Sequence, residues 1–328
     1  MPPSVKPAYY KPVIHDSHRR ATWHDYCSRC IYMVTLCKSE MCPCFGTLKA
    51  GDNLRNAAVE LSETGKIVRT EIDRTPLHHK DVRVLECIIM PDHVHVLFFV
   101  TQVISKPLGH IIQSMKAAIT SRIRHLGKRP ELCVFEDGFH DRILREPRQL
   151  NILIRYIREN PYRLAVRNAY PDFFQKLACL TLFETNFQAY GNLQLLDNPF
   201  KEQVIVHRND TPEIRTHYRN LWRYTAINGG VLVSPFISAD EKQIREEAET
   251  LGGKFIILTN RPFSDREKPA AHNFELCEQG RLLILAPLTG MTNSLTRARC
   301  LEMNRYASMI ANANRQCLSG YRPSSADN

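Results

Sequence analysis

His93 and His95 stand two residues apart within Met90-Pro91-Asp92-His93-Val94-His95-Val96-Leu97-Phe98-Phe99. On a β-strand, residues two apart point to the same side. The two imidazoles would then share one face, with Val94, Val96 and Phe98 on the other. Two imidazoles on a rigid strand make half of a metal site; they also suit a solvated sheet face. Further along, Tyr156 and Asn160 are four residues apart in an apparent helix, so they lie on one face, a turn apart. A tyrosine hydroxyl serves as a nucleophile when a metal and a bound electrophile sit beside it. An Asn carboxamide oxygen is a neutral, hard ligand suited to Mg²⁺ or Mn²⁺. Two imidazoles and one amide oxygen leave coordination positions for a phosphate and water. A metal held that way polarises the phosphate and stabilises charge developing on its oxygens. Plainer uses stay open: Tyr156 as a half-buried aromatic, and Asn160 as a helix end, because the residue before a proline resists αR geometry.

Positioning those groups requires a sheet and at least one helix. Ile31 to Leu36 reads as a first strand. An amphipathic helix is expected from about Leu54 to Ser62, broken by Gly65, with Ile67 to Ile72 resuming it. Val82 to Met90 is β-rich and pairs with the histidine strand through the Pro91-Asp92 turn, which suggests an antiparallel hairpin. A helix follows from Leu108 to about His125. Its apolar positions Ile111, Ile112, Met115, Ala118, Ile119 and Ile123 recur at helical spacing, and its other face carries Gln113, Lys116, Arg122 and Arg124. Phe135 to Leu144 reads as a turn and a strand. Pro147 introduces a helix from Arg148 to about Asn160, with Leu150, Leu153, Ile154 and Ile157 as its core stripe. The expected architecture is α+β, an antiparallel sheet with helices on one face.

From Tyr170 to about Asn192 the chain is irregular and aromatic, and the domain boundary is placed near Gly191. Short apolar strands at 204–206, 231–233, 255–258 and 282–286 then alternate with helices at 239–251 and 295–311. That alternation indicates a parallel, Rossmann-like α/β domain. Two domains, 1–190 and 191–328, fit a chain of 328 residues.

The net charge is +10, and residues 101–167 alone hold 13 Lys+Arg against 6 Asp+Glu. So local an excess suggests a surface that faces a polyanion, most simply nucleic acid; a generally basic solvated surface is the plainer account. No run of about 18 apolar residues is present, so no membrane span is expected. Met1 to Arg20 lacks an apolar signal-peptide core, and a cytoplasmic protein is expected. Eleven scattered cysteines in such a chain suggest reduced thiols. Cys27-x-x-Cys30 with Cys42-x-Cys44 invites a zinc reading, but Cys30 runs straight into the first strand and Cys42-Pro43-Cys44 lacks the usual two-residue gap.

Three blocks together resemble the REP-associated tyrosine transposases of the HUH single-stranded-DNA endonuclease superfamily. They are Met-Pro-Asp-His-Val-His-Val-Leu at 90–97, Gly-Phe-His-Asp-Arg-Ile at 138–143, and Arg-Tyr-Ile-Arg-Glu-Asn-Pro-Tyr-Arg-Leu-Ala-Val at 155–166. The resemblance spans roughly residues 28–175, with the blocks in the family's order and about its spacing. It implies a ferredoxin-like (RRM-like) sheet, a divalent metal (Mg²⁺ or Mn²⁺) and one catalytic tyrosine. His93 and His95 match the paired histidine ligands, Asn160 the third ligand, and Tyr156 the nucleophile that forms a 5′-phosphotyrosine and releases a 3′-hydroxyl. Asp92 occupies a slot where many relatives carry Asn.

The implied partner is single-stranded DNA bearing a hairpin, taken by a monomer or homodimer. Lys116, Arg122, Arg124, Lys128, Arg129, Arg142, Arg155, Arg158 and Arg163 are candidates for phosphate contacts, and Phe139 and Tyr162 for base stacking. The Cys-rich loop and the C-terminal half depart from the family pattern. The latter weakly resembles the Rossmann-like domain of DNA-processing proteins, which bind single-stranded DNA or nucleotides, although it has no G-x-G-x-x-G. Two further readings follow: a non-catalytic DNA-binding regulator, and a nucleotide- or single-stranded-DNA-binding protein acting through the C-terminal domain.

Overall fold

A computed structural model describes residues 20–264, 269, 271–289 and 294–313. The stretch read for a signal peptide lies, apart from Arg20, outside the described residues. The chain divides into two compact units, Met1–Ala165 and Val166–Asn328. Both combine helices and sheet, so the fold is α+β. Among the described residues no helix is long and apolar enough to cross a membrane.

The first unit opens with β1 (Cys30–Cys37), in which Tyr32, Val34 and Leu36 alternate inward as the pleat requires. A two-stranded ribbon follows, β2 (Gly46–Lys49) against β3 (Ala58–Leu61). Next come α1 (Glu63–His78), β4 (Val82–Ile89), β5 (His93–Val100), α2 (Leu108–Gly127) and β6 (His140–Leu144), then α3 (Arg148–Arg158) and α4 (Asn160–Ala169). The antiparallel sheet runs β4-β5-β1-β6, so the histidine strand is central. β4 and β5 form the expected hairpin.

Three expectations for this unit change. The stretch 54–62 is not a helix: it holds a short 3₁₀ turn and then β3. Gly65 does not break a helix but lies in the first turn of α1, where Ser62 caps the Gly65 N–H. A β-carbon at that glycine would run into the Phe45 carbonyl oxygen, so tertiary packing, not helix breaking, requires it. The helices also do not share one face of the sheet. α1 and α2 cover the side formed by Tyr32, Val34, Leu36, Val94, Val96, Phe98 and Val100. α3 lays Leu150, Leu153, Ile154 and Ile157 on the opposite side, against Ile31, Met33, Ile88, Leu97 and Leu144. β5 is apolar on both faces beyond its histidines, so each face needs a cover.

The second unit begins with a hairpin, β7 (Gln175–Leu182) and β8 (Thr185–Gly191), joined by Phe183 and Glu184 at positive φ. It continues with β9 (Lys201–Gln203), α5 (Pro212–Ile227), β10 (Val231–Ser234), α6 (Ala239–Thr250), β11 (Lys254–Leu258), α7 (Ala271–Glu278), β12 (Leu282–Pro287) and α8 (Arg297–Asn312). Strands β9 to β12 are parallel in sequence order, and β8 joins β12 antiparallel. Two expectations shift here. The 204–206 strand forms a few residues earlier, and 170–192 holds a short 3₁₀ turn and the β7–β8 hairpin, while the two compact units divide between Ala165 and Val166. That glycine is a close-packing residue, with φ +123 and no room for a side chain beside the Leu282 carbonyl.

Candidate catalytic and metal site

The tight turn before β5 sets where the imidazoles begin. Its backbone is tied at three points: Met90 N–H to His93 O at 2.8 Å, Phe45 N–H to Pro91 O at 2.9 Å, and Lys38 N–H to Asp92 O at 2.8 Å. From that anchored start the pleat puts His93 and His95 on the α3 side of the sheet, as their spacing predicts. Their ring centroids are 4.7 Å apart, with planes at 72°. The His93 side chain is 15% exposed and His95 is buried.

Both rings are held through Nδ1. Asp92 Oδ1 lies 2.6 Å from Nδ1 of His93, and Thr35 Oγ1 lies 2.8 Å from Nδ1 of His95. His93 Nε2 is buried and makes no hydrogen bond. A buried nitrogen left that way carries a desolvation cost that a metal ion would remove.

α3 brings the tyrosine. Its apolar stripe fixes the helix on the sheet, and Tyr156 sits half-buried at the margin of that contact. The Tyr156 ring centroid is 5.7 Å from that of His95, at 57°. Arg163 also lies against the ring, its guanidinium carbon 5.5 Å from the Tyr156 centroid. Arg163 is buried and paired with Glu159 at 3.4 Å, and Glu159 also takes Arg155 Nε at 2.6 Å. The phenol is therefore braced by an ionic cluster from α3 and the first turn of α4.

Asn160 is buried where α3 gives way to α4. Pro161 does not end the helical path, because a proline is tolerated in a first turn. The Asn160 carboxamide donates from Nδ2 to the Tyr156 and Ile157 carbonyls, at 2.7 and 3.4 Å. Committing the nitrogen leaves Oδ1 as the atom available for coordination. By their chemistry these donors suit a divalent ion: two imidazole nitrogens, one of them buried without a hydrogen-bond partner, and a neutral amide oxygen. Among the described residues no group of three or more His, Cys, Asp and Glu side chains is placed to hold a metal. Cys27, Cys30, Cys42 and Cys44 are free thiols outside any such group.

The expected DNA-contacting residues divide. Lys116, Arg122, Arg124 and Lys128 belong to α2 and its cap, on the opposite face of the sheet from the histidines. Lys116 donates to the Glu136 and Gly138 carbonyls at 2.7 and 2.9 Å, and burial pulls its pKa down. Arg122 is paired with Glu71 at 2.6 Å, Arg124 donates to Leu132 O at 2.8 Å, and Arg158 is paired with Glu86 at 2.6 Å. Lys128, Arg129 and Arg142 are exposed. An open groove of about 810 Å³ runs along α2, bordered by Lys116, Thr120, Arg124, His125 and Lys128.

The two aromatics read as stacking platforms are covered. Phe139 is buried beneath the Arg20 guanidinium at 3.4 Å, and Tyr162 is buried with the Arg55 guanidinium carbon 4.9 Å from its ring. Each already stacks on an arginine of the same unit, so neither offers an open face there. Thr35, Glu159 and the bracing part played by Arg163 escaped the sequence. A threonine in a strand is unremarkable until the cross-strand register puts it opposite His95.

No family model matches this chain. A protein of Haemophilus influenzae described as uncharacterized is 25% identical over 177 residues, spanning 46% of this chain and 92% of that protein. Among solved structures, the chain is similar to a REP-associated tyrosine transposase bound to a REP hairpin, at TM-score 0.30 and 12% identity over 43% of this chain and 72% of that one. It is similar to a putative transposase from Deinococcus radiodurans, at TM-score 0.28 and 13% identity over 41% and 92%. It is also similar to DNA processing protein A from Helicobacter pylori, at TM-score 0.30 and 21% identity over 43% and 67%.

Proposed function

We propose that the protein is a metal-dependent tyrosine endonuclease and strand transferase of the transposase type, acting on hairpin-bearing single-stranded DNA. In this reading the first unit is a ferredoxin-like catalytic domain and the second a Rossmann-like α/β domain. The observation that carries it is the approach of the Tyr156 ring to within 5.7 Å of the His95 imidazole, itself 4.7 Å from His93. Two separated sequence blocks, 90–97 and 155–166, thus supply one phenol and two nitrogen donors close together.

His93, His95 and Asn160 Oδ1 would hold the ion. Bound Mg²⁺ or Mn²⁺ supplies positive charge against the non-bridging oxygens of the scissile phosphate. The Tyr156 oxygen attacks phosphorus and the bond from phosphorus to the 3′ oxygen breaks. The 3′ oxygen leaves with the electron pair and takes up a proton, replacing the one the phenol gives up to solvent. The product is a 5′-phosphotyrosine with a free 3′-hydroxyl. Because one phosphoester replaces another, a 3′-hydroxyl can reverse the step without ATP. Arg163 and Glu159 keep the phenol ring in place during both directions.

The test is incubation of the full chain with labelled hairpin DNA and Mn²⁺, followed by denaturing electrophoresis. A metal-dependent, denaturant-resistant protein–DNA adduct is expected. A mobility shift under native conditions with no adduct at any metal concentration would favour the non-catalytic regulator instead.

A further inference from the structure

An imidazole coordinates a metal through a nitrogen that carries no proton, and the hydrogen bond made by its other nitrogen decides which one that is. Both histidines here have that second nitrogen engaged, by partners of different kinds. Asp92 offers His93 a carboxylate oxygen at 2.6 Å. A carboxylate oxygen accepts, so this contact calls for the N–H on Nδ1 and leaves Nε2 as the nitrogen that can face a metal. His93 Nε2 is that other nitrogen, buried and without a hydrogen-bond partner.

Thr35 does the corresponding work for His95, at 2.8 Å. Its placement comes from the sheet. Thr35 lies in β1, directly opposite His95 on one side and His140 on the other. A β-branched side chain in a central strand has little χ1 freedom, so its hydroxyl oxygen is fixed in space. The hydroxyl can accept from Nδ1–H, which leaves Nε2 as the donor to a metal.

We infer that Thr35 and Asp92 are positioning residues that hold both imidazoles as the Nδ1–H tautomer, so that both present Nε2 to one shared ligand position. The inference rests on the reading of His93 and His95 as metal ligands. It adds that the site is preset before any ion arrives. One partner is a neutral hydroxyl inside the sheet, the other a carboxylate in the turn that is 73% exposed.

The test uses the full chain with ¹⁵N-labelled imidazoles, first without metal. In the unmodified protein both rings are expected to show a non-protonated Nε2. Thr35→Val should release His95 to the other tautomer and leave His93 unchanged; Asp92→Ala should do the reverse. Thr35→Ser should restore His95, and Asp92→Asn, which keeps a carbonyl acceptor, should restore His93. Mn²⁺ affinity, read by electron paramagnetic resonance, should fall about 10–100-fold in Thr35→Val and Asp92→Ala and recover in the conservative variants. Finding His95 protonated on Nε2 in the unmodified protein would overturn the inference without any variant. So would an unchanged tautomer and an unchanged Mn²⁺ affinity in Thr35→Val. If the unmodified protein shows the expected tautomers yet binds no Mn²⁺, the metal reading fails while the presetting of the rings stands.

Discussion

The two faces of β5 are a residue apart in sequence and opposite in chemistry. On one face Val94, Val96, Phe98 and Val100 are fully buried beneath α1 and α2, an apolar surface whose contribution is area removed from water. On the other, His93 and His95 lie beside Leu97 beneath α3, and the Nδ1 of each ring is hydrogen-bonded. Burying polar groups costs free energy unless they are satisfied, so this face must carry its own partners. Thr35 and Asp92 are the partners of the two rings. Alternation with a period of two lets one strand anchor the core and carry the candidate site without either intruding on the other.

Substitutions on the two faces should therefore separate function from stability. The largest effect is expected from Tyr156→Phe, which removes the nucleophile. Adduct formation should fall by at least about 1,000-fold while hairpin affinity and urea midpoint stay close to those of the parent. Next comes a matched pair across β5. Phe98→Ala should cost about 3–5 kcal/mol of stability in urea melts, with adduct yield per folded molecule retained. His93→Ala should abolish metal-dependent cleavage at a cost under about 1 kcal/mol. If His93→Ala unfolds the protein as readily as Phe98→Ala, the two faces are not distinct in the way described. A smaller effect is expected at Gly65, where Gly65→Ala drives a methyl group into the Phe45 carbonyl and should cost about 1–3 kcal/mol, again without altering the chemistry. The smallest is in DNA affinity. Lys128→Gln or Arg129→Gln should lower the slope of log affinity against log salt by about 1 each. Arg122→Gln should leave it unchanged, because that guanidinium is already paired with Glu71.

Much of the first unit was legible in the sequence, and the reason is periodicity. The His-x-His spacing shows a shared face, and the stripes of α2 and α3 show which sides pack. The four-residue spacing of Tyr156 and Asn160 marks one helical face, and Asn160 does bond back to the Tyr156 carbonyl. What escaped depends on contacts between distant segments. Gly65 reads as a helix breaker until Phe45 is seen beside it. Phe139 and Tyr162 read as open platforms until Arg20 and Arg55 cover them. Lys116 and Arg122 read as free charges until Glu136, Gly138 and Glu71 take them up. The β7–β8 hairpin was hidden because the register of its first strand shifts between Leu177 and Leu180, which breaks the apolar alternation. Thr35 carries no local signal, since its part comes from register alone.

The central claim is that Tyr156 itself becomes bonded to the 5′ phosphate. Mass spectrometry of the proteolysed adduct formed with hairpin DNA and Mn²⁺ tests it most directly. The account predicts a phosphodeoxynucleotide mass on the peptide that contains Tyr156, and on that residue in its fragment spectrum. A DNA mass on a different residue, or cleaved DNA with no covalently modified peptide, would contradict it.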